Sequence, residues 1–230
     1  MERCRESYTG GWLATIIVVS FGATAQMLIH VVYYSTLPIR YLAKFSRATS
    51  ERILLELVAG SSLILLISSL ILLAISLVMF SHRFDTLLLP ESPLGLLVAG
   101  IAFGLFIYLF STTFGLLAIV FRKPGLVAKI SFTPTVLAWA FAMLSIFAGG
   151  EVYHHTPFVA ATALLYHYST GFKVPYDKPF ARMSFQDFTP MEPTSSWAVL
   201  QAWIAVFATT SLLLLKKQKG VPVEENIRTA

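Results

Sequence analysis

The sequence predicts an all-α polytopic integral membrane protein, with five transmembrane helices and an outer re-entrant or interfacial helix. Three observations predict it. Charged side chains make up only 13% of 230 residues, against 56% hydrophobic, where a soluble domain averages about 25% charged. Those few charges sit in short stretches between long apolar runs. The basic ones also alternate in number from one connection to the next. Such scarcity excludes an ordinary soluble enzyme and a disordered chain. A single cysteine, Cys4, leaves no internal disulfide and no Cys-based metal centre.

Six runs carry no Asp, Glu, Lys or Arg: Ser7–Ile39, Leu57–Ser81, Ser92–Phe121, Ile130–Gly150, Val152–Phe172 and Pro193–Leu215. A spanning helix needs about 20 mostly apolar residues. Five runs meet this, with spans expected at 12–34, 53–80, 94–121, 130–149 and 197–215 of a single transmembrane domain covering 1–230. Helix is the spanning form, because the runs lack the period-two alternation of a membrane barrel.

The fifth run differs. It holds His154, His155, His167, Tyr153, Tyr166 and Tyr168, and only Pro157–Leu165 is strongly apolar. Nine helical residues cover about 14 Å, half a bilayer, so this segment of the outer loop (151–196) reads as re-entrant or interfacial. The alternative is a sixth span with polar ends.

The first run resembles a signal peptide, with Arg3 and Arg5 before it and Ala23-Thr24-Ala25 as a cleavage-like site. It reads better as a retained span. The apolar stretch continues through Met27-Leu28-Ile29 and Val31 to Tyr34, and Glu2 and Glu6 offset the basic residues.

Orientation follows from the basic residues. The first connection carries Arg40, Lys44, Arg47 and Arg52, the third Arg122, Lys123 and Lys129, and the C-terminal tail Lys216, Lys217, Lys219 and Arg228. These eleven face six in the alternate segments: Arg3, Arg5, Arg83, Lys173, Lys178 and Arg182. Acids lean the other way. The positive-inside rule then places the C-terminus in the cytoplasm and the N-terminus outside, in the cell membrane. A sixth span would strand Lys216 and Lys217 on the side poor in basic residues.

The first cytoplasmic connection (38–52) is the most informative. Ile39, Leu42 and Phe45 recur at three-residue spacing with Arg40, Lys44 and Arg47 between them. That pattern predicts a short amphipathic helix along the membrane surface. Ser50 then caps the second span, with Glu51 in its first turn. Two roles stay open: an anchor on anionic membrane lipid, or a docking helix for a cytoplasmic partner.

Other features are weaker. Gly100 and Gly104 form a GxxxG pair that permits close helix approach. Pro134 falls near the start of the fourth span, where it does little damage. The histidines invite a metal reading, with His154, His155 and His167 as candidate ligands near Glu151. Their bland reading is interfacial placement beside tyrosines. Gln26 and His30 are the most polar side chains within a span. Asp and Glu are absent from the middle of every span, which disfavours a carboxylate-driven transporter. There is no Walker motif or nucleophile elbow. No catalytic residues, cofactor or nucleic-acid partner are expected.

This organisation resembles the ABC-2 type permease family, the membrane subunits of ATP-binding-cassette exporters. The likeness lies in Ser46-Arg47-Ala48-Thr49-Ser50-Glu51-Arg52-Ile53-Leu54-Leu55-Glu56 before a long span, and in Phe114-Gly115-Leu116-Leu117-Ala118-Ile119-Val120-Phe121-Arg122-Lys123-Pro124. It extends to Tyr153-His154-His155-Thr156-Pro157-Phe158 and to the last span ending in Lys216-Lys217. The resemblance implies a coupling region at Arg40, Lys44, Arg47, Glu51 and Arg52. It also implies a separate cytoplasmic ATPase subunit and a second permease subunit, as homo- or heterodimer. The family usually has six spans. Here the coupling-like loop follows the first, which implies either an N-terminally shortened, five-span member or a true start lying upstream. The alternative is a non-transporting membrane subunit of a metal-containing respiratory or oxidase complex, with the outer histidines holding the metal. The substrate is not legible.

Overall fold

The computed structural model describes residues 2–46, 50–85, 89–121, 124–147, 154–175 and 189–217. Its elements are α1 (Glu2–Ser46), α2 (Ser50–Phe84), α3 (Pro93–Val120), α4 (Pro124–Ser131), α5 (Thr133–Phe147), α6 (Pro157–Thr170), β1 (Val174–Pro175), β2 (Pro190–Met191) and α7 (Pro193–Lys217). Five stretches are long and apolar enough to cross a membrane: Ser7–Tyr34, Leu66–Phe84, Pro93–Val120, Val127–Ser145 and Pro193–Lys217. The protein is an all-helical, multi-pass membrane protein.

Proline punctuates this fold. Pro93, Pro124, Pro157 and Pro193 each open a helix, and Pro134 is the second residue of α5. Proline's missing N–H is harmless there and its fixed φ suits the first turn. Two starts are also capped: Ser92 Oγ accepts from the Gly95 N–H (3.3 Å) and Thr156 Oγ1 from the Val159 N–H (3.4 Å). Pro134 does more than the expected little damage. The fourth hydrophobic stretch is not one helix from 130 to 149. It breaks at Phe132, because a proline ring inside a continuous helix collides with the carbonyl four residues back.

The basic segment after the first span also departs from expectation. α1 is one helix of 45 residues, about 67 Å long, and passes through Pro38 to Ser46. The expected separate surface helix is a continuation of α1. The chain then enters α2 at Ser50, so α1 and α2 form a helical hairpin. The bundle end from which it projects is called the hairpin end, and the other the far end.

Two apolar clusters fill the bundle. At the hairpin end, Ile29, Val32, Leu116, Ile119, Val127 and Leu215 pack from α1, α3, α4 and α7. The larger cluster occupies the middle and far end and is built on aromatic rings. Phe158 of α6 meets Phe103, Phe106 and Phe110 of α3 edge-on, at centroid distances of 6.0, 5.5 and 6.4 Å, and stacks on Phe141 of α5 at 5.8 Å. Edge-on and offset stacks are the favoured geometries of such rings.

α6 is the least expected element. Every residue from Pro157 to Tyr166 is buried. Its 14 residues reach about 21 Å, short of the ~30 Å hydrocarbon thickness. It lies among α1, α3, α5 and α7, starting level with the middle of α3 and ending at the far end. α6 is thus too short to cross and is enclosed by the surrounding helices.

Candidate functional site

Two places carry the sequence's candidate residues. At the hairpin, Arg40 and Lys44 lie on α1, four residues apart and so on one helical face. Arg47 lies outside the described residues. Glu51 and Arg52 fall in the first turn of α2. The Arg52 Nε donates to Glu56 Oε1 at 2.8 Å, an i,i+4 pair with both side chains well exposed. That pair steadies the start of α2 only slightly.

The second place surrounds α6. Its far end is tied to three helices by polar groups. The Ser7 hydroxyl of α1 lies 2.8 Å from the Tyr166 hydroxyl. Backbone N–H groups of Glu91 and Ser92, just before α3, donate to the carbonyls of Ser169 (3.2 Å) and Tyr168 (2.9 Å). The Trp197 indole of α7 donates to the Tyr168 hydroxyl at 3.0 Å. Gly171 closes the helix in the left-handed region at φ 71°, a conformation glycine adopts without steric cost. Beyond it, Val174 pairs with Met191, and Lys173 meets Glu192 at 2.9 Å.

The other end of α6 lies inside the bundle. His154 and His155 form a short 3₁₀ turn before the Thr156 cap. His154 is 4% exposed, whereas His155 is exposed. The Trp203 indole of α7 donates to the His155 carbonyl at 2.9 Å. His167 sits in the last turn, where its Nδ1–H donates to the Phe172 carbonyl at 3.0 Å. Twelve helical residues hold His167 about 18 Å from His155. The three histidines are therefore not one ligand set, and no group of three or more His, Cys, Asp or Glu converges on a metal-sized site among the described residues. Glu151 lies outside the described residues.

Close approach of helices is built in with small residues. The GxxxG glycine Gly100 faces α2, where a Cβ would lie 3.2 Å from Ser69 Oγ. A tighter crossing that periodicity did not flag joins α1 and α5. A Cβ on Gly22 would stand 2.5 Å from the Ala138 Cβ and 3.2 Å from the Pro134 carbonyl oxygen. The Thr135 hydroxyl donates to the Gly22 carbonyl at 3.0 Å.

Between α3 and α7, Thr113 Oγ1 and Ser211 Oγ lie 2.9 Å apart, both buried. Either hydroxyl can donate to the other: Thr113 Oγ1 also lies 2.9 Å from the Leu109 carbonyl of its own helix and 3.4 Å from the Phe207 carbonyl of α7, and Ser211 Oγ lies 3.4 Å from the Leu109 carbonyl of α3. Gln26 and His30 are half-buried on α1, and the His30 ring stacks on Tyr34 at 6.5 Å.

The geometry thus defines a class, a helical membrane bundle with a partial-depth helix at its centre and a helical hairpin at one end. No family model, curated protein or solved structure matches the chain.

Proposed function

We propose that this chain is the membrane-spanning permease subunit of an ATP-binding-cassette exporter, acting with a separate ATPase subunit and a second permease subunit. The observation that carries this reading is the helical hairpin. α1 continues from its span-length stretch straight into the segment bearing Arg40 and Lys44. Basic residues collect at the same end: Lys129 on α4 next to the hairpin-end cluster, and Lys216 and Lys217 closing α7. By the positive-inside rule that end is cytoplasmic, where an ATPase can reach it.

α1 is also the helix through which a push would travel. It packs on α3, α5 and α6, and interlocked interiors transmit displacement rather than absorb it. ATP-driven closure of the partner would tilt α1 and shift α6 against α3 and α7, exchanging access between the two sides. The metal-subunit alternative finds no support in histidines held at opposite ends of α6.

Replacing Arg40, Lys44 and Arg47 together by Glu is expected to abolish co-purification of the ATPase, while leaving the permease in the membrane at its normal level. Unchanged co-purification would overturn the reading.

A further inference from the structure

We propose that the side of the bundle marked by His155 and Trp203 is the wall of a water-filled passage reaching mid-membrane, and not a lipid-facing surface. This deepens the permease reading by naming the wall of its passage. Depth is the first argument. Phe158, three residues past His155, packs against the middle of α3 at Phe103, Phe106 and Phe110. Trp203, bonded to the His155 carbonyl, lies ten residues past Pro193, about 15 Å along α7. Both markers put His155 near the centre of a hydrocarbon layer about 30 Å thick.

Exposure is the second argument. The buried stretch of α6 begins at Pro157, and His154 is buried, yet His155 between them opens to the outside of the bundle. Backbone form is the third. His154 and His155 are in a 3₁₀ turn and not in the α-helix that follows. Backbone outside a regular helix persists at this depth only where protein buries it or water reaches it. Here protein covers His154 and Trp203 holds the His155 carbonyl, which leaves the His155 side chain as the group that needs a polar surrounding. Ionisable side chains within the membrane obey the same rule, facing a bundle interior or a water-filled cavity. His155 is exposed in its own chain, so either water or a second protein surface must meet it, and water is the one proposed. The exposed face of α2 at this depth carries Ile71, Ile75, Val78 and Met79 and no ionisable side chain, whereas on the α7 side exposed Trp203 stands beside His155, with exposed Val206 one turn on.

Thiol labelling tests this on the full-length protein in native membranes. Cys4→Ser removes the one native thiol. His155→Cys is the probe. Val206→Cys, one turn past Trp203 and 52% exposed, is a second reporter should the first fail to accumulate. Ile75→Cys, 51% exposed on α2 and nine residues from Phe84, is the lipid-facing control at similar depth. A membrane-impermeant cationic methanethiosulfonate, applied from each side in turn, should modify His155→Cys at least tenfold faster than Ile75→Cys. Equal rates would overturn the proposal. So would an unlabelled His155→Cys that forms a disulfide between two copies, since the face would then be buried in a protein contact. No ATPase enters the experiment, so this wall and the permease reading can fail separately.

Discussion

α2 and α6 invert each other. α2 is the more apolar helix and among the least enclosed, with 17% of its spanning stretch buried. Leu63, Ile64, Ile67, Ile71 and Ile75 all stand exposed. α6 has tyrosines, histidines and hydroxyls at its ends and is wholly buried over Pro157–Tyr166. In water the reverse would hold. In a bilayer, lipid tails solvate leucine as well as a protein core does. Apolarity alone therefore does not decide enclosure: α3 is the most apolar span and well buried, while α2 is apolar and open. The short α6 is enclosed as well, and its polar ends find partners in Ser7, Glu91, Ser92, Trp197 and Trp203.

Removing a large side chain from each helix should show the widest gap. Phe158→Ala leaves a cavity among four rings of α3 and α5 and is expected to destabilise by roughly 3–5 kcal/mol. Ile71→Ala, 53% exposed on α2, exchanges one lipid contact for another and should stay within about 0.5 kcal/mol. Unfolding midpoints in detergent or bicelles measure both. Equal losses would mean that α2 is covered by protein as fully as α6.

The same contrast explains what could be read from the sequence. Charge-free runs mark the five helices long and apolar enough to cross, because hydrocarbon thickness fixes length and composition together. The short apolar stretch at Pro157 marks α6 and its shortness. Its enclosure could not be read, since Tyr166–Ser7 and Tyr168–Trp197 join residues far apart in sequence. Pro134 was visible but underweighted, because its effect depends on whether Phe132 is inside or before a helix. For the candidate site, Arg40 and Lys44 were found as a basic patch. Periodicity within 38–52 suggested a separate helix, and it could not reveal that the first span has no stop before Ser46. The histidine cluster failed for a simple reason: neighbours in composition lie at opposite ends of one helix.

Glycine substitutions sharpen the comparison at a smaller scale. Gly22→Ala inserts a methyl group 2.5 Å from Ala138, with the Pro134 carbonyl at 3.2 Å and the Thr135 bond holding the helices together. Separating α1 from α5 is expected to cost about 1–3 kcal/mol. Gly60→Ala on α2 meets nothing within 4 Å, so only helix propensity acts, and it favours alanine by roughly 0.5–1 kcal/mol. Opposite signs in one melting assay are the expected result. A loss at Gly60 would show that a partner sits on α2 there.

The smallest effect separates hydroxyls that join helices from those that do not. Thr113 and Ser211 bond across α3 and α7 in a dry interior, and such bonds average about 0.6 kcal/mol because the separated helices find other partners. Thr113→Val keeps the shape and removes the hydroxyl that pairs with Ser211, so it should destabilise by about that amount. Thr209 and Thr210 on the exposed side of α7 donate only to the Ala205 and Val206 carbonyls of their own helix, at 2.8 Å each. Their valine variants should leave stability unchanged within error. A double-mutant cycle of Thr113→Val with Ser211→Ala isolates the shared term. Strictly additive losses would mean that the two hydroxyls do not depend on each other, each being held by carbonyls such as Leu109 and Phe207 instead.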